Sequence, residues 1–387
     1  MKRVLIYRDD ILPATETFIA AQSGALSSYK ASLVGLERAK PSLPVPEPII
    51  CRDYAIFPRW IQDRVYNSGG VQPRWHRSQL ISRLQAGSPL LLHAHFARDA
   101  VMAMPLVARL KIPFIVTLHG FDVTMHDSCF RPWPRGRLFL RGKSQLWEST
   151  SLFLCVSEFI RQKALQGGYP AGKLRVHYTG IDCTHFNTGQ GSQRTDNLVL
   201  FVGRLTEMKG CEYLIRAMAA VSAEVPGAQL AVIGDGELRP QLETLANSLG
   251  VRCRFLGVQT GSSVREWLGK ARIFCVPSVT AASGSAEGLG MVFLEAQAMG
   301  VPVVSCRTGG IPEAVCDGET GLLAEARDHQ ALAQHISRYL NDEAFWKHSS
   351  QAGPDWVRQR FDLHKQTREL EDIYDLVVQE GAACNIL

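Results

Sequence analysis

The stretch LVLFVGRLTEMKGCEYLIRAMAAVSAEVPGAQLAVIGDG, from Leu198 to Gly236, holds two short apolar runs on either side of one helix-length amphipathic segment. LVLFVGR (198–204) and QLAVIGDG (229–236) read as strands. GCEYLIRAMAAVSAEV reads as the helix that returns the chain so that the two strands pair in parallel. The same alternation continues in both directions. Downstream, RCRFLG (252–257), RIFCVPS (272–278) and VPVVSC (301–306) read as strands, with GELRPQLETLANSLG as a helix. Upstream, VLIY (4–7), LLLHAHF (90–96), FIVTLHG (114–120) and SLFLCVS (151–157) give a second set. The expected class is α/β, with two Rossmann-like domains facing across a cleft at the carboxyl ends of their strands, where such sheets bind ligands.

Bulk properties agree with two domains, since 387 residues exceed what one hydrophobic core usually serves. The polar, glycine-containing HFNTGQGSQRTDN (185–197) is the expected link between a domain of residues 1–187 and one of residues 195–363. No run approaches the roughly 18 apolar residues of a membrane span, and MKRVLIYRDD turns acidic before a signal-peptide core develops. A cytoplasmic protein is expected. Ten cysteines (51, 129, 155, 183, 211, 253, 275, 306, 316 and 384) lie scattered without a CxxC pair, the pattern of buried, reduced thiols.

The net charge of +5 hides a division: residues 1–190 carry 24 basic against 13 acidic side chains, and residues 191–387 carry 18 against 24. A basic first half suits an anionic membrane surface or a phosphorylated substrate, and nothing resembles a nucleic-acid module. CFRPWPRGRLFLRGK (129–143) concentrates this charge in Arg131, Arg135, Arg137, Arg141 and Lys143, interleaved with Phe130, Trp133, Leu138, Phe139 and Leu140. It reads either as a surface for anionic headgroups with aromatics dipping into the interface, or as a basic loop before an ordinary helix. A second segment of this kind spans residues 54–80.

Several residues could carry chemistry. Gly203 and Arg204 end a strand, and Lys209 and Gly210 open the next helix. A glycine admits a phosphate to the backbone, helix amides donate to it, and two cations hold a diphosphate without a metal ion. A turn with solvated basic side chains is the alternative. In SAEGLGMVFLE, Glu287 lies in a loop with Gly288, Leu289 and Gly290, a helix begins near Met291, and Glu295 follows one turn later. Eight residues of continuous helix rise about 12 Å, so the two carboxylates address different parts of a ligand. A phosphate flanked by two sugars suits them better than one scissile bond held between paired acids. Glu295 as a helix surface position is the alternative. His119 and Asp122 follow a buried strand where a cleft would open. His93 and His95 share a strand face, but no acidic or cysteine partner lies at ligand spacing, so no metal is expected. Thr15, Glu16 and Thr17 precede a helix that Thr15 or Thr17 could cap, facing a diphosphate or an acceptor.

Together these segments resemble the retaining glycosyltransferases of family 4, which have the GT-B fold. The likeness runs from about residue 4 to residue 377. It is carried by EGLGMVFLE with its Glu-x7-Glu spacing, EAQAMGVPVVSCRTGGIPEAVCDGETGLL, FVGRLTEMKG, VIGDGELRPQLE, CVSEFIRQKAL and HYTGIDCTHF. PATETFI and the 278–298 block look most like enzymes that build exopolysaccharide, capsule or lipopolysaccharide sugars. Two departures stand out. Pro13, Ala14, Thr15 and Glu16 occupy the place of a first-loop glycine pair, and GLGM replaces the commoner GFG or GLP.

The resemblance implies transfer of a sugar from a UDP- or GDP-sugar to a saccharide hydroxyl, with retained configuration and no cofactor. The saccharide acceptors include polyprenyl-diphosphate-linked ones at the inner membrane face. Arg204 and Lys209 would bind the diphosphate, Glu287 the donor sugar and Glu295 the ribose. His119 would lie beside the transferred sugar, with the backbone from Gly288 to Met291 at sugar and phosphate, and Gly257 and Val258 flanking the base. The helix of residues 364–380 would return to the N-terminal domain. A nucleotide-sugar epimerase, a transferase acting on a soluble small molecule and a non-catalytic sensor remain as alternatives.

Overall fold

The computed structural model describes residues 1–13, 16–38, 48–50, 74–187, 194–195 and 197–384. Thr15, Cys51 and most of the 54–80 segment lie outside the described residues. The chain divides into two compact units, one of Met1–Gly180 with Leu363–Leu387 and one of Ile181–Asp362. The division therefore falls just ahead of the polar 185–197 stretch.

The first unit contains β1 (Lys2–Tyr7), β2 (Asp10–Ile11), β3 (Tyr29–Gly35), β4 (Glu37–Arg38), β5 (Ile49–Ile50), β6 (Leu91–His95), β7 (Phe114–Leu118), β8 (Leu152–Cys155) and β9 (Leu174–Val176). All except β2 and β4, which pair with each other, form one parallel sheet in the order β5-β3-β1-β6-β7-β8-β9. Its central strands are buried on both faces and therefore largely apolar, with His93, His95 and Thr117 as buried polar exceptions. Val4, Leu5, Leu91, Leu92, Phe114 and Ile115 are all fully buried.

The final helix, Leu363–Cys384, completes this core by packing Leu370, Ile373, Tyr374 and Val377 against Val4, Ile6 and Leu91. Glu371 ties it down. Its carboxylate accepts hydrogen bonds from the amides of Ser27 (2.8 Å), Ser28 (2.7 Å) and Tyr29 (3.1 Å), and from the Ser27 hydroxyl (2.8 Å).

The second unit holds β10 (Leu198–Val202), β11 (Gln229–Ile233), β12 (Cys253–Gly257), β13 (Ile273–Cys275), β14 (Val303–Cys306) and β15 (Gly321–Ala324). They form a parallel sheet in the order β12-β11-β10-β13-β14-β15. The chain thus winds outward from β10 in both directions. The strand order reverses between β10 and β13, so the loops after these two strands lie at the switch point, the position at which doubly wound sheets bind ligands.

Residues 129–143 follow the second of their two readings, a basic loop before an ordinary helix, and the expected Thr17 cap is absent. The segment after Phe130 folds as the helix Pro134–Ser149, and Phe130 and Phe139 are buried against each other with ring centroids 5.1 Å apart. They cannot dip into a membrane. Trp133, 65% exposed, is the apolar side chain of the set that faces water. Its cations are partly committed as well: Arg135 lies 3.8 Å from Asp9, Arg137 donates to the carbonyls of Arg131 and Pro132, and Lys143 pairs with Asp127 at 2.5 Å. Arg131 and Arg141 are exposed. The helix Thr17–Gly24 is not capped by Thr17, since Glu16 holds the cap position and sends its carboxylate to Arg8 instead. Among the described residues no helix is long and apolar enough to cross a membrane.

Candidate active site

In the second unit, three consecutive residues of the turn Glu207–Lys209 grip the loop after β13. Both carboxylate oxygens of Glu207 accept from the Ala282 amide at 3.1 Å, the Met208 carbonyl accepts from Val279 N–H at 2.8 Å, and Lys209 Nζ pairs with Glu287 Oε2 at 2.5 Å. Gly210 makes the approach possible. It sits at φ +66°, and a Cβ there would lie 2.0 Å from the Pro277 carbonyl oxygen. The loop is held from its other side by Thr308, whose hydroxyl donates to the Ser278 carbonyl at 2.7 Å, and by the Gly310 amide, which donates to the Glu287 carbonyl at 2.9 Å.

The loop delivers the chain into the helix Met291–Ala298 through Gly290 at φ +87°, where a Cβ would strike the Phe293 ring. No side chain caps this helix. The amides of Leu289, Gly290, Met291 and Val292 have no acceptor among the described residues, so a positive helix end keeps a set of unpaired donors.

The two glutamates differ in state. Glu287 has Oε2 on Lys209 and, more distantly, on the Ser278 hydroxyl at 3.4 Å, while Oε1 has no partner among the described residues. The partly buried carboxyl of Glu295 has no ion pair or hydrogen bond among them, and removal from water pushes its pKa up to about 7. Arg204 is exposed and without a side-chain partner among the described residues. Gly203 ends its strand with the Lys209 stem 3.5 Å from where a Cβ would stand. Gly257 is at φ +67°, and Val258 beside it is 77% exposed.

The first unit has its own polar group at the carboxyl ends of β1, β6 and β7. Arg8 is buried between Asp99 and Glu16, contacting both, with its guanidinium 4.5 Å from the centre of the Phe96 ring. Burial works against the Arg8 charge, but Asp99 and then Glu16 more than offset it and hold the group protonated. Asp9 is fully buried with Oδ2 lacking a hydrogen bond, and burial and then the Asp99 charge raise its pKa well above the usual range. His119 follows β7 and packs against Phe96 and Phe18. Asp122 fixes its backbone by accepting from the amides of His119 (3.2 Å), Gly120 (2.9 Å) and Ala97 (2.9 Å). Burial, and then the Arg8 charge, lower the His119 pKa well below its ordinary value. Among the described residues no group of three His, Cys, Asp or Glu side chains is arranged to hold a metal ion.

The structure brings together Lys209, Glu287 and the helix at Met291, as their spacing implies. Glu207, Met208, Ser278 and Thr308 carry no local signal, because their roles depend on contacts across 30 to 75 residues of chain. The Arg8–Asp99 contact carries none for the same reason.

Two doubly wound parallel sheets in two compact units are the architecture of the GT-B fold. The model for glycosyl transferases group 1 matches residues 186–356, and that for glycosyltransferase family 4 matches residues 37–185. The amylovoran biosynthesis glycosyltransferase AmsK of Erwinia amylovora is 33% identical over 296 residues, 75% of this chain and 70% of that one. The GDP-mannose-dependent alpha-(1-6)-phosphatidylinositol monomannoside mannosyltransferase of Mycobacterium tuberculosis (strain CDC 1551 / Oshkosh) is 28% identical over 284 residues, 70% and 69% of the two chains. For two further relatives at 31% identity the match spans 56% and 60% of their length. Among solved structures, Anabaena Alr3699/HepE in complex with UDP and glucose superposes with a TM-score of 0.74 over 97% of this chain and 100% of that one, at 19% identity. The chain belongs to the family 4, group 1 glycosyltransferases.

Proposed function

We propose that the protein is a retaining glycosyltransferase that moves a sugar from a nucleoside-diphosphate sugar, with uracil or guanine as base, to a hydroxyl of a saccharide in the synthesis of a cell-surface polysaccharide. The observation that carries the reading is the set of unpaired amides at residues 289–292, in the same loop-helix unit as the Lys209-paired Glu287 and the uncommitted Glu295. The diphosphate meets the amides, Arg204 and Lys209. The free oxygen of Glu287 accepts from hydroxyls of the sugar to be moved, and Glu295 accepts from the ribose. His119 lies against the sugar, and Gly257 with Val258 borders the base.

Charge builds on the leaving diphosphate as the glycosidic bond breaks, and preorganised donors and cations stabilise it there without a metal ion. The acceptor hydroxyl attacks from the face the diphosphate leaves and loses its proton to a phosphate oxygen. The saccharide acceptor is lipid-linked, and the protein works peripherally at the inner membrane face, with Trp133, Arg131 and Arg141 as its exposed contacts. The names of the amylovoran and phosphatidylinositol-mannoside relatives support the saccharide and lipid elements of this reading.

The test is incubation with a panel of nucleotide-sugars, with and without lipid extract, following nucleotide release. Acceptor-dependent release is the expected result. An isomerised donor would mark an epimerase, and binding without turnover a sensor.

A further inference from the structure

The HAHF motif places His93 and His95 side by side on β6, and their nitrogens are occupied by specific partners. His93 Nδ1 lies 2.7 Å from the Tyr374 hydroxyl, and Nε2 lies 2.7 Å from the Thr117 hydroxyl. Its ring stacks on that of His95 with centroids 4.5 Å apart and planes at 28°. His95 is 2% exposed, and its Nδ1 lies 2.9 Å from Nε2 of His119. Burial and neighbouring charges lower the pKa values of both His95 and His119 well below the ordinary one, so each ring is neutral.

A neutral imidazole carries one N–H and one bare nitrogen. Two such rings in a hydrogen bond place one proton between them, and its owner decides what His119 shows on its far side. If His95 Nδ1–H donates, His119 carries its proton on Nδ1 and offers a donor. If His119 Nε2–H donates, Nδ1 is bare and offers an acceptor. A sugar hydroxyl placed against His119 meets a different group in each case, so mixed tautomers would bind it in mixed orientations.

We propose that His95 is a positioning residue that fixes the tautomer of His119, so that the ring presents the transferred sugar with one constant hydrogen-bonding group. This rests on the assignment of His119 to the donor sugar. The stack on His93, itself anchored to Tyr374 of the final helix, keeps the His95 ring from turning away.

Long-range proton–nitrogen NMR of the histidine rings in the full chain, paired with transfer kinetics, tests this. An asparagine at 95 places an amide atom where His Nδ1 stands, a glutamine reaches past it, and alanine offers nothing. The expected result is one His119 tautomer in the wild type and both in His95→Ala. With it, kcat should fall roughly tenfold or more at a donor KM changed less than about twofold. His95→Asn restores the single tautomer and most of kcat. Should His95→Ala fail to fold, His95→Gln gives the same reading with similar bulk. A single, unchanged His119 tautomer in His95→Ala or His95→Gln, or wild-type kcat in His95→Ala, overturns the proposal. Wild-type transfer by His119→Ala would instead overturn the assignment of His119, and the spectra would still decide whether His95 fixes its tautomer.

Discussion

Lys209 and Glu287 hold each other at 2.5 Å, so removing either also frees the other. Lys209→Ala should cost on the order of 10²-fold or more in kcat, the scale of losing one preorganised donor, and Arg204→Ala should behave likewise; thermal unfolding should be unchanged in Arg204→Ala and lowered in Lys209→Ala, which leaves the largely buried Glu287 carboxylate unpaired. Wild-type turnover in either removes the role assigned to it. The two glutamates separate by kinetics: Glu287→Gln should chiefly lower kcat, and Glu295→Gln should chiefly raise donor KM. Glu295 adds a pH signature. Its folded carboxyl binds its proton up to about pH 7 against an ordinary 4.5, so ionising it over that window lowers the stability of the free protein. Ribose hydroxyls that donate to the carboxylate offset this. Donor affinity should therefore rise as pH climbs through about 7, and calorimetry on Glu295→Gln should show that rise abolished. Transfer in the presence of excess chelator should equal that in its absence. At this scale the sequence was legible wherever spacing along one loop and helix set the chemistry, as with Glu287, Gly290 and Glu295. It was silent on Asp99 and Glu207, whose partners are assembled only by the sheet.

The turn Glu207–Lys209 and the loop after β13 act as one body because Gly210 lets the backbones meet. Gly210→Ala puts a Cβ 2.0 Å from the Pro277 oxygen in a left-handed conformation. Strain of that kind costs about 1–3 kcal/mol, and the loop would shift before the fold fails. The expectation is a lowered unfolding temperature with donor binding weakened more than global stability; equal loss in both would argue against a local clamp. Elements were read from sequence where burial made them uniformly apolar, as in β10, β11 and β14. β3 escaped because YKASLVG exposes Lys30 and leaves Ala31 to Leu33 half-buried, so no single period survives. The helix Pro134–Ser149 shows the converse. Its basic residues suggested a membrane face, but Phe139 is turned inward, a direction composition does not encode.

At the scale of the molecule, the final helix supplies part of the first unit's core. Burying Leu370, Ile373, Tyr374 and Val377 stabilises by about 1.5–3 kcal/mol each as an upper bound, together comparable with the whole stability of an ordinary domain. A chain ending at Asp362 should leave the first unit unfolded, as read by loss of its amide protection. Glu371→Ala should cost about 1–3 kcal/mol by releasing three backbone amides. Burial raises the Glu371 pKa, but the Ser27 hydroxyl and the amides of Ser27, Ser28 and Tyr29 outweigh it and hold it below the ordinary 4.5. This stabilisation is present above that value and is lost as pH falls through the folded pKa, so acid should loosen the helix in the wild type and change little in Glu371→Ala.

The same helix sets an order of events at the ribosome. Residues 1–180 emerge first, yet their hydrophobic face stays open until residue 377 has been made. Residues 181–362 form an uninterrupted unit whose core needs nothing synthesised later. The half of the protein translated second is therefore able to mature first, and the half translated first must wait, its apolar sheet available to chaperones in the meantime.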